Sequence, residues 1–265
     1  MRHTISIIIP VLNEEAHIGR LLEHLLANSL SKNVSEIIVV DGGSRDQTLS
    51  IIDSFSSVHN SSSKRAFHFI DSRVKNKETT SSKNLKTNII SLNSKKGRAK
   101  QMNWGAKHAK GDILYFLHAD SFPPKRFDQL IINEIERGNE AGCFRMQFNS
   151  NHWWLKLASW FTQFNWRPCR GGDQSQFISK TLFETISGFD ENYFIYEDNI
   201  LINHLYARKQ YVVINKKIKT SARMYEKHGI WRVQFFYWCI YIKKWLGADA
   251  NKLHCYYNKY INVKK

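Results

Sequence analysis

Short β-branched runs alternate with stretches of helical spacing through the first 120 residues, and this alternation restricts the fold more than any other feature. Ile5-Ser6-Ile7-Ile8-Ile9 reads as a buried strand, and Ala16 to Leu26 places Ile18, Leu21, Leu22, Leu25 and Leu26 on one helical face. Glu14 and Glu15 fall in the first turn expected for that helix, where its dipole favours acids. A second strand is predicted from Glu36 to Val40 and ends in Asp41-Gly42-Gly43-Ser44. Asp46 then reads as the N-cap of a helix reaching about Phe55. Asn88 to Leu92 and Ile113 to Leu117 supply a third and a fourth strand, with a helix through Met102 to Lys110 between them. Alternation of this kind calls for an α/β fold: a mostly parallel sheet with helices on both faces.

The second half is mixed. Phe127 to Arg137 and Trp153 to Phe164 read as helices, Cys143 to Phe148 alternates as an antiparallel strand would, and a further helix starts near Glu197. Tyr211 to Ile214 reads as a strand, and the last 37 residues, from Gly229, as helical. Between Ser56 and Lys86 the pattern breaks into Ser, Asn and Lys, with only Ala66 to Ile70 resembling a strand. Residues 56–88 are therefore expected to be an insertion, mostly a mobile basic surface loop. No linker or repeat divides the chain. We read one domain over residues 1–265, in a first half to residue 120, a second over 121–225 and an aromatic helical tail over 226–265.

With 42% hydrophobic and 13% aromatic residues in 265, the chain can bury a sizeable core, which excludes wholesale disorder. Its net charge of +16 favours anionic partners: nucleic acid, phosphorylated small molecules or an acidic membrane surface. Cys143, Cys169, Cys239 and Cys255 form no CxxC pair and read as reduced core thiols of a cytosolic protein. The apolar run Ile5 to Ile9 is too short for a signal peptide, and no stretch approaches the ~18 apolar residues of a membrane span. The expectation is a soluble or peripheral protein.

Open parallel sheets bind ligands at the carboxyl ends of their strands. Three strands here end in polar or acidic residues: Asn13-Glu14-Glu15, Asp41 and His118-Ala119-Asp120. Helix capping accounts for Glu15 and Asp46. It accounts poorly for Asp120, because the apolar run carries straight into His118, and residues two apart on an extended segment point the same way. His118 and Asp120 are thus a candidate cation pair. Lys95-Lys96-Gly97-Arg98-Ala99-Lys100 opens a helix after a strand, and free amides plus cations suit a diphosphate.

Taken in order, Ile8-Ile9-Pro10-Val11-Leu12-Asn13-Glu14-Glu15, Val39-Val40-Asp41-Gly42-Gly43-Ser44, Gly97 to Asn103 and Phe116 to Asp120 form a familiar series. It continues with Gly172-Asp173-Gln174, Glu197-Asp198, Thr220-Ser221-Ala222-Arg223 and His228 to Arg232. The series resembles family 2 glycosyltransferases of the GT-A fold, a Rossmann-like arrangement, and in particular a small single-domain bacterial subgroup. The resemblance covers nearly the whole chain except the 56–88 insertion. It implies a metal-dependent, inverting transferase of hexosyltransferase type, moving a sugar from a nucleoside diphosphate sugar to an acceptor hydroxyl. The first half would bind the donor and residues 121–225 the acceptor. The resemblance places Pro10, Asn13, Glu14, Asp41, Gly97, Arg98 and Asn103 at the donor nucleotide. It gives Asp120 to a divalent cation, with His118 standing where most relatives have an acid, a choice that suits Mn²⁺ better than Mg²⁺. It makes Asp198 the catalytic base with Glu197 beside it, and sets Gly172, Asp173 and Gln174 at the donor sugar or acceptor. Arg223 and His228 become late contacts to diphosphate or metal.

One constellation is independent of any family. Trp231, Phe235, Trp238, Ile242 and Trp245 are spaced 4, 3, 4 and 3 apart, on one helical face. This is either a helix docked on the enzyme body or one lying on an anionic membrane, joined by Trp153 to Phe161. A lipid-linked acceptor at the inner face of the membrane would account for the second arrangement. Two rivals to the transferase have specific weaknesses. A nucleotidyltransferase should carry a Gly- and Arg-rich loop where this chain has Val11-Leu12-Asn13-Glu14-Glu15. A nucleic-acid-binding protein explains the charge but leaves the acidic strand ends without a role, so no specific nucleic acid is expected.

Overall fold

The computed structural model describes residues 3–60 and 87–261. In chain order the elements are β1 (Ile5–Val11), α1 (Ile18–Asn28), β2 (Val34–Asp41), α2 (Thr48–Asn60), β3 (Asn88–Asn93), α3 (Arg98–His108), β4 (Ile113–Phe116), β5 (Ser121–Phe122) and α4 (Phe127–Glu136). Then follow β6 (Ala141–Phe148), α5 (Trp153–Phe161), two single 3₁₀ turns, β7 (Gln176–Ser179), α6 (Lys180–Thr185), α7 (Glu197–Ala207), β8 (Val212–Thr220), α8 (Arg223–His228), α9 (Ile230–Trp245) and α10 (Ala250–Tyr260).

The strands form one sheet in the order β3-β2-β1-β4-β7-β6-β8-β5. The first four pair in parallel, with Ile7 opposite both Ile37 and Tyr115. Side-chain alternation sorts their apolar runs into two cores. Ile5, Ile7, Ile9 and Val11 of β1 pack with α1, α2 and α4 on one face, while Ile8 packs with α3, α6 and α7 on the other. β2 and β4 divide in the same way, Val39 and Tyr115 to the first core, Val40 and Phe116 to the second. This is why the strands are apolar at every position. α3 lies so close to β1 that a Cβ on Gly105 would come within 2.6 Å of Ile8 Cγ2, so a side chain at this position would force helix and strand apart.

Beyond β4 the sheet turns mixed: β7 runs antiparallel to β4 and β6 antiparallel to β7, while β6 and β8 run parallel. The strand expected from Tyr211 to Ile214 is much longer, because β8 follows β6 to Phe148 opposite Thr220. Several other expectations need correction. α1 begins at Ile18, so Glu14 and Glu15 lie before it: Glu15 accepts a hydrogen bond from the Gln47 amide at 2.9 Å and Glu14 reaches an arginine described below. Asp46 does cap α2, accepting from the Thr48 amide at 3.0 Å, but that helix continues to Asn60. α5 stops at Phe161, and the tail is two helices separated by a turn at Gly247 (φ 88°). All four cysteines are free, yet only Cys143 is buried and Cys255 is exposed, so they are not four core thiols. Most of the 56–88 insertion, with its expected strand from Ala66 to Ile70, lies outside the described residues. Among the described residues no helix is long and apolar enough to cross a membrane.

Candidate active site

β1 and β4 are neighbours whose connections leave in opposite directions along the sheet, which opens a crevice at their carboxyl ends. A cleft of about 970 Å³ occupies that crevice. Its floor comes from Pro10, Glu14, His118 and Asp120, its sides from Gly97 and Arg98 at the start of α3, and its roof from Arg223, Tyr225, Tyr237 and Tyr257.

Two arginines organise the charges. Arg223 donates to both oxygens of Glu14, at 2.9 and 2.6 Å, and its Nε lies 3.2 Å from Asp120 Oδ2. Arg98 Nη1 lies 3.3 Å from Glu197 Oε1 and 3.6 Å from Asp198 Oδ2. Gly97 makes this start of α3 possible: its φ of 141° falls where residues with a side chain are strained. Tyr196 starts α7 at a φ of 72° and turns Glu197 and Asp198 inward, so both carboxylates are buried beside each other.

That burial sets the acid–base character of the site. It pushes the Asp198 carboxyl up to about 7, with Glu197 adding repulsion and Arg98 countering part of it. Glu197 is raised by burial as well, against the pull of Arg98. Asp173 is pushed up to about 6 by burial, Arg98 opposing and Asp120 and Asp198 reinforcing. Asp120 rises through burial despite Arg223. His118 moves the other way, down to about 3, because burial and then the Arg98 charge disfavour imidazolium. His118 and Asp198 also converge on Gly172, where a Cβ would run into the Asp198 carboxylate and lie 3.1 Å from His118 Nε2.

The other expected residues lie elsewhere. Asp41 is buried, its carboxylate taken by the amides of Gly43 (2.8 Å) and Ser44 (3.0 Å) in its own turn. Asn13, at a φ of 54°, accepts from the Arg45 amide at 2.8 Å and ties the loop after β1 to the loop after β2. Asn103 points away from the cleft, donating to the Phe189 carbonyl (2.9 Å) and accepting from the Phe189 amide (3.0 Å). Gln174 is buried and accepts from Arg170 at 2.6 Å, and His228 closes α8 away from the cleft lining.

Apart from Arg223, sequence reasoning did not find the roof. Tyr237 comes from α9, and His254, Tyr257 and Asn258 from α10, where spacings of three and four put them on one face. Phe194 stacks against His254 with ring centroids 4.6 Å apart, and the Lys100 ammonium lies 5.6 Å from the Phe194 ring centre. The helical period in 254–258 is the signal that could have located this wall.

A divalent cation can be tested against the donor set. His118 is held neutral, the ligating form of imidazole, and Asp120 is a carboxylate in the cleft. Among the described residues no third side chain joins them as a ligand. Two protein ligands suffice for a cation whose other positions are filled by diphosphate oxygens and water, so the residues fit.

The sequence profile described as Glycosyl transferase family 2 matches residues 6–204. A dolichyl N-acetyl-alpha-D-glucosaminyl phosphate 3-beta-D-2,3-diacetamido-2,3-dideoxy-beta-D-glucuronosyltransferase of Methanococcus voltae is 31% identical over 132 residues, 50% of this chain and 33% of that protein. An undecaprenyl-phosphate 4-deoxy-4-formamido-L-arabinose transferase of Shewanella sediminis is 29% identical over 144 residues, 53% of this chain and 36% of that one. The chain thus spans about a third of the length of these curated relatives. Among solved structures, mannosyltransferase PcManGT from Pyrobaculum calidifontis, in complex with GDP-Man and Mn²⁺, aligns with a TM-score of 0.64 at 16% identity, over 99% of this chain and 69% of that one. The fold is GT-A.

Proposed function

The chain belongs to glycosyl transferase family 2, and from that premise we propose that it transfers a sugar, with inversion, from a nucleoside diphosphate sugar to an acceptor hydroxyl. The observation that carries this reading is that Arg98, which lines the cleft from the start of α3, pairs with the buried acids Glu197 and Asp198. The amides at the start of α3 and the Arg98 guanidinium suit a departing diphosphate. Asp198, with its carboxyl near 7, can take the proton of the attacking hydroxyl as the new bond to the anomeric carbon forms and the bond to the diphosphate breaks. Glu197 holds Arg98 in place. Asp120 and His118 would hold a divalent cation, which would neutralise diphosphate charge when bound. Gly172 has no side chain, which lets the Asp198 carboxylate pack directly against it, and Asp173 lines the cleft as a candidate contact to donor sugar or acceptor.

On this reading Glu14 and Arg223 are donor contacts that hold each other until the donor arrives. Pro10 lines the same floor, while Asp41, Asn13 and Asn103 support the loops around it. The curated relatives are named for dolichyl and undecaprenyl phosphate substrates, and that supports a lipid-linked acceptor met at the inner face of a membrane. Thermal unfolding with UDP, GDP, ADP and CMP, each with and without Mn²⁺, tests the donor side. One diphosphate should raise the melting temperature, and more so with Mn²⁺; a ligand at 100 times its dissociation constant adds about 2.7 kcal/mol. No shift with any of them would count against the proposal.

A further inference from the structure

α9 presents two opposite apolar faces. Val233 and Ile240 are buried against the body, and Tyr237 on the same side lines the cleft. The outward face carries Trp231, Phe235, Trp238, Ile242 and Trp245, between 45% and 84% exposed. The helix is therefore docked on the enzyme, yet the face with the regular 4, 3, 4, 3 spacing is the one left in solvent. α5 continues that surface: the Trp154 ring lies 5.3 Å from Trp231 and 5.9 Å from Trp238, and Trp153 lies 5.8 Å from Trp231. Beyond it Trp160 and Trp166 are half exposed and bracket Phe164, at centroid distances of 5.0 and 4.7 Å.

We propose that the joint outer face of α5 and α9 rests on an anionic phospholipid bilayer. Each tryptophan offers on the order of 200 Å², so the five on these two helices at 45% exposure or more (Trp153, Trp160, Trp231, Trp238 and Trp245) exceed the few hundred Å² common on a monomer. Tryptophan rings suit the boundary between headgroup and acyl chain. Neither helix contains an acid, whereas Lys156, Arg232 and Lys243 are exposed on them. Charge complementarity selects the occupant: an anionic lipid surface attracts this face, while a second copy of a chain of net charge +16 would bring like charges together. With 16 residues, α9 can lie in the interface but is too short to span it.

The consequence is a route for the acceptor. Tyr237 on the inner side of α9 lines the cleft, so bilayer and cleft are one helix diameter apart, ~10 Å. A lipid-linked acceptor would present its headgroup there. This last step rests on the transferase reading; the bilayer contact does not.

The test uses the full chain, sedimented with vesicles of phosphatidylglycerol and phosphatidylethanolamine or of phosphatidylcholine alone, at low salt, with tryptophan emission recorded. Pelleting with the anionic vesicles and a blue-shifted emission are expected, with little of either on phosphatidylcholine. The double substitution Trp238→Ser with Ile242→Ser, both outside the core, should reduce partitioning at least tenfold while leaving circular dichroism unchanged. Three results would overturn the proposal: no pelleting with anionic vesicles, pelleting insensitive to that pair, or a dimer in solution that the pair dissociates. Nucleotide binding measured without vesicles separates the two readings. If it fails while pelleting holds, the bilayer surface stands and the transferase reading falls.

Discussion

Asp198 is buried next to Glu197, and its carboxyl is held near 7 rather than at its usual 3.8. That has a consequence for rate and another for stability. The base must be ionised to accept a proton, so kcat/KM is expected to fall about tenfold per pH unit below about 7. A flat profile from pH 5 to 8 would remove Asp198 from that role. For stability the sign is set by burial. Below about pH 4 the carboxyl is protonated in folded and unfolded chains alike and contributes nothing. Between about 4 and 7 the unfolded chain releases its proton while the folded chain keeps it, so stability is lost as pH rises. Asp198→Asn should therefore melt a few degrees higher than the natural protein at pH 8 and at the same temperature at pH 4, checked by calorimetry. The site residues differ in how legible they were. Glu14, Arg98, Asp120 and Asp198 sit at strand ends or helix starts, where local pattern and the family resemblance agree. Asn103 and Gln174 lie in matching motifs, but their partners are Phe189, 86 positions away, and Arg170, folded back from the same turn. A sequence does not display such contacts.

Elements defined by their own spacing were readable, and pairings between distant ones were not. β1, β2 and β4 follow from apolar runs because both faces of a parallel sheet are covered. The length of β8 does not, since it follows from parallel pairing with β6, roughly seventy residues earlier. α9 shows the limit of periodicity. Apolar residues ring almost the whole helix, so the stripe of Trp231 to Trp245 could be found while the face that docks could not. α3 supports a prediction at this scale. Asn103 clamps the turn at Gly188-Phe189 to α3 through both its carbonyl and its amide group. Asn103→Ala should cost about 1–3 kcal/mol in urea unfolding, because it leaves buried backbone groups of Phe189 unpaired. Donor affinity should stay within about twofold after correction for folding. A tenfold loss of affinity in a fully folded variant would make Asn103 a donor contact after all.

Across the whole molecule, the cleft is shared between segments far apart in the chain. Arg223 joins α8 to the loop after β1 through Glu14, and α9 and α10 fold back to roof the donor side. The net charge of +16 fits an anionic donor and an anionic surface in one protein. The two arginines link the halves, so one ligand that engages Arg98 and Arg223 together would bind both. On the proposed reaction Asp198 acts on the acceptor while Arg98 and its surroundings hold the donor. The direct measurement is release of nucleoside diphosphate from the donor sugar by Asp198→Asn, with nucleotide affinity determined on the same sample. Unchanged affinity and a rate lower by ~10²–10⁴, the range a positioned base supplies, are expected. Turnover by the Asp198→Asn enzyme at the natural rate would contradict a role for Asp198 as the base.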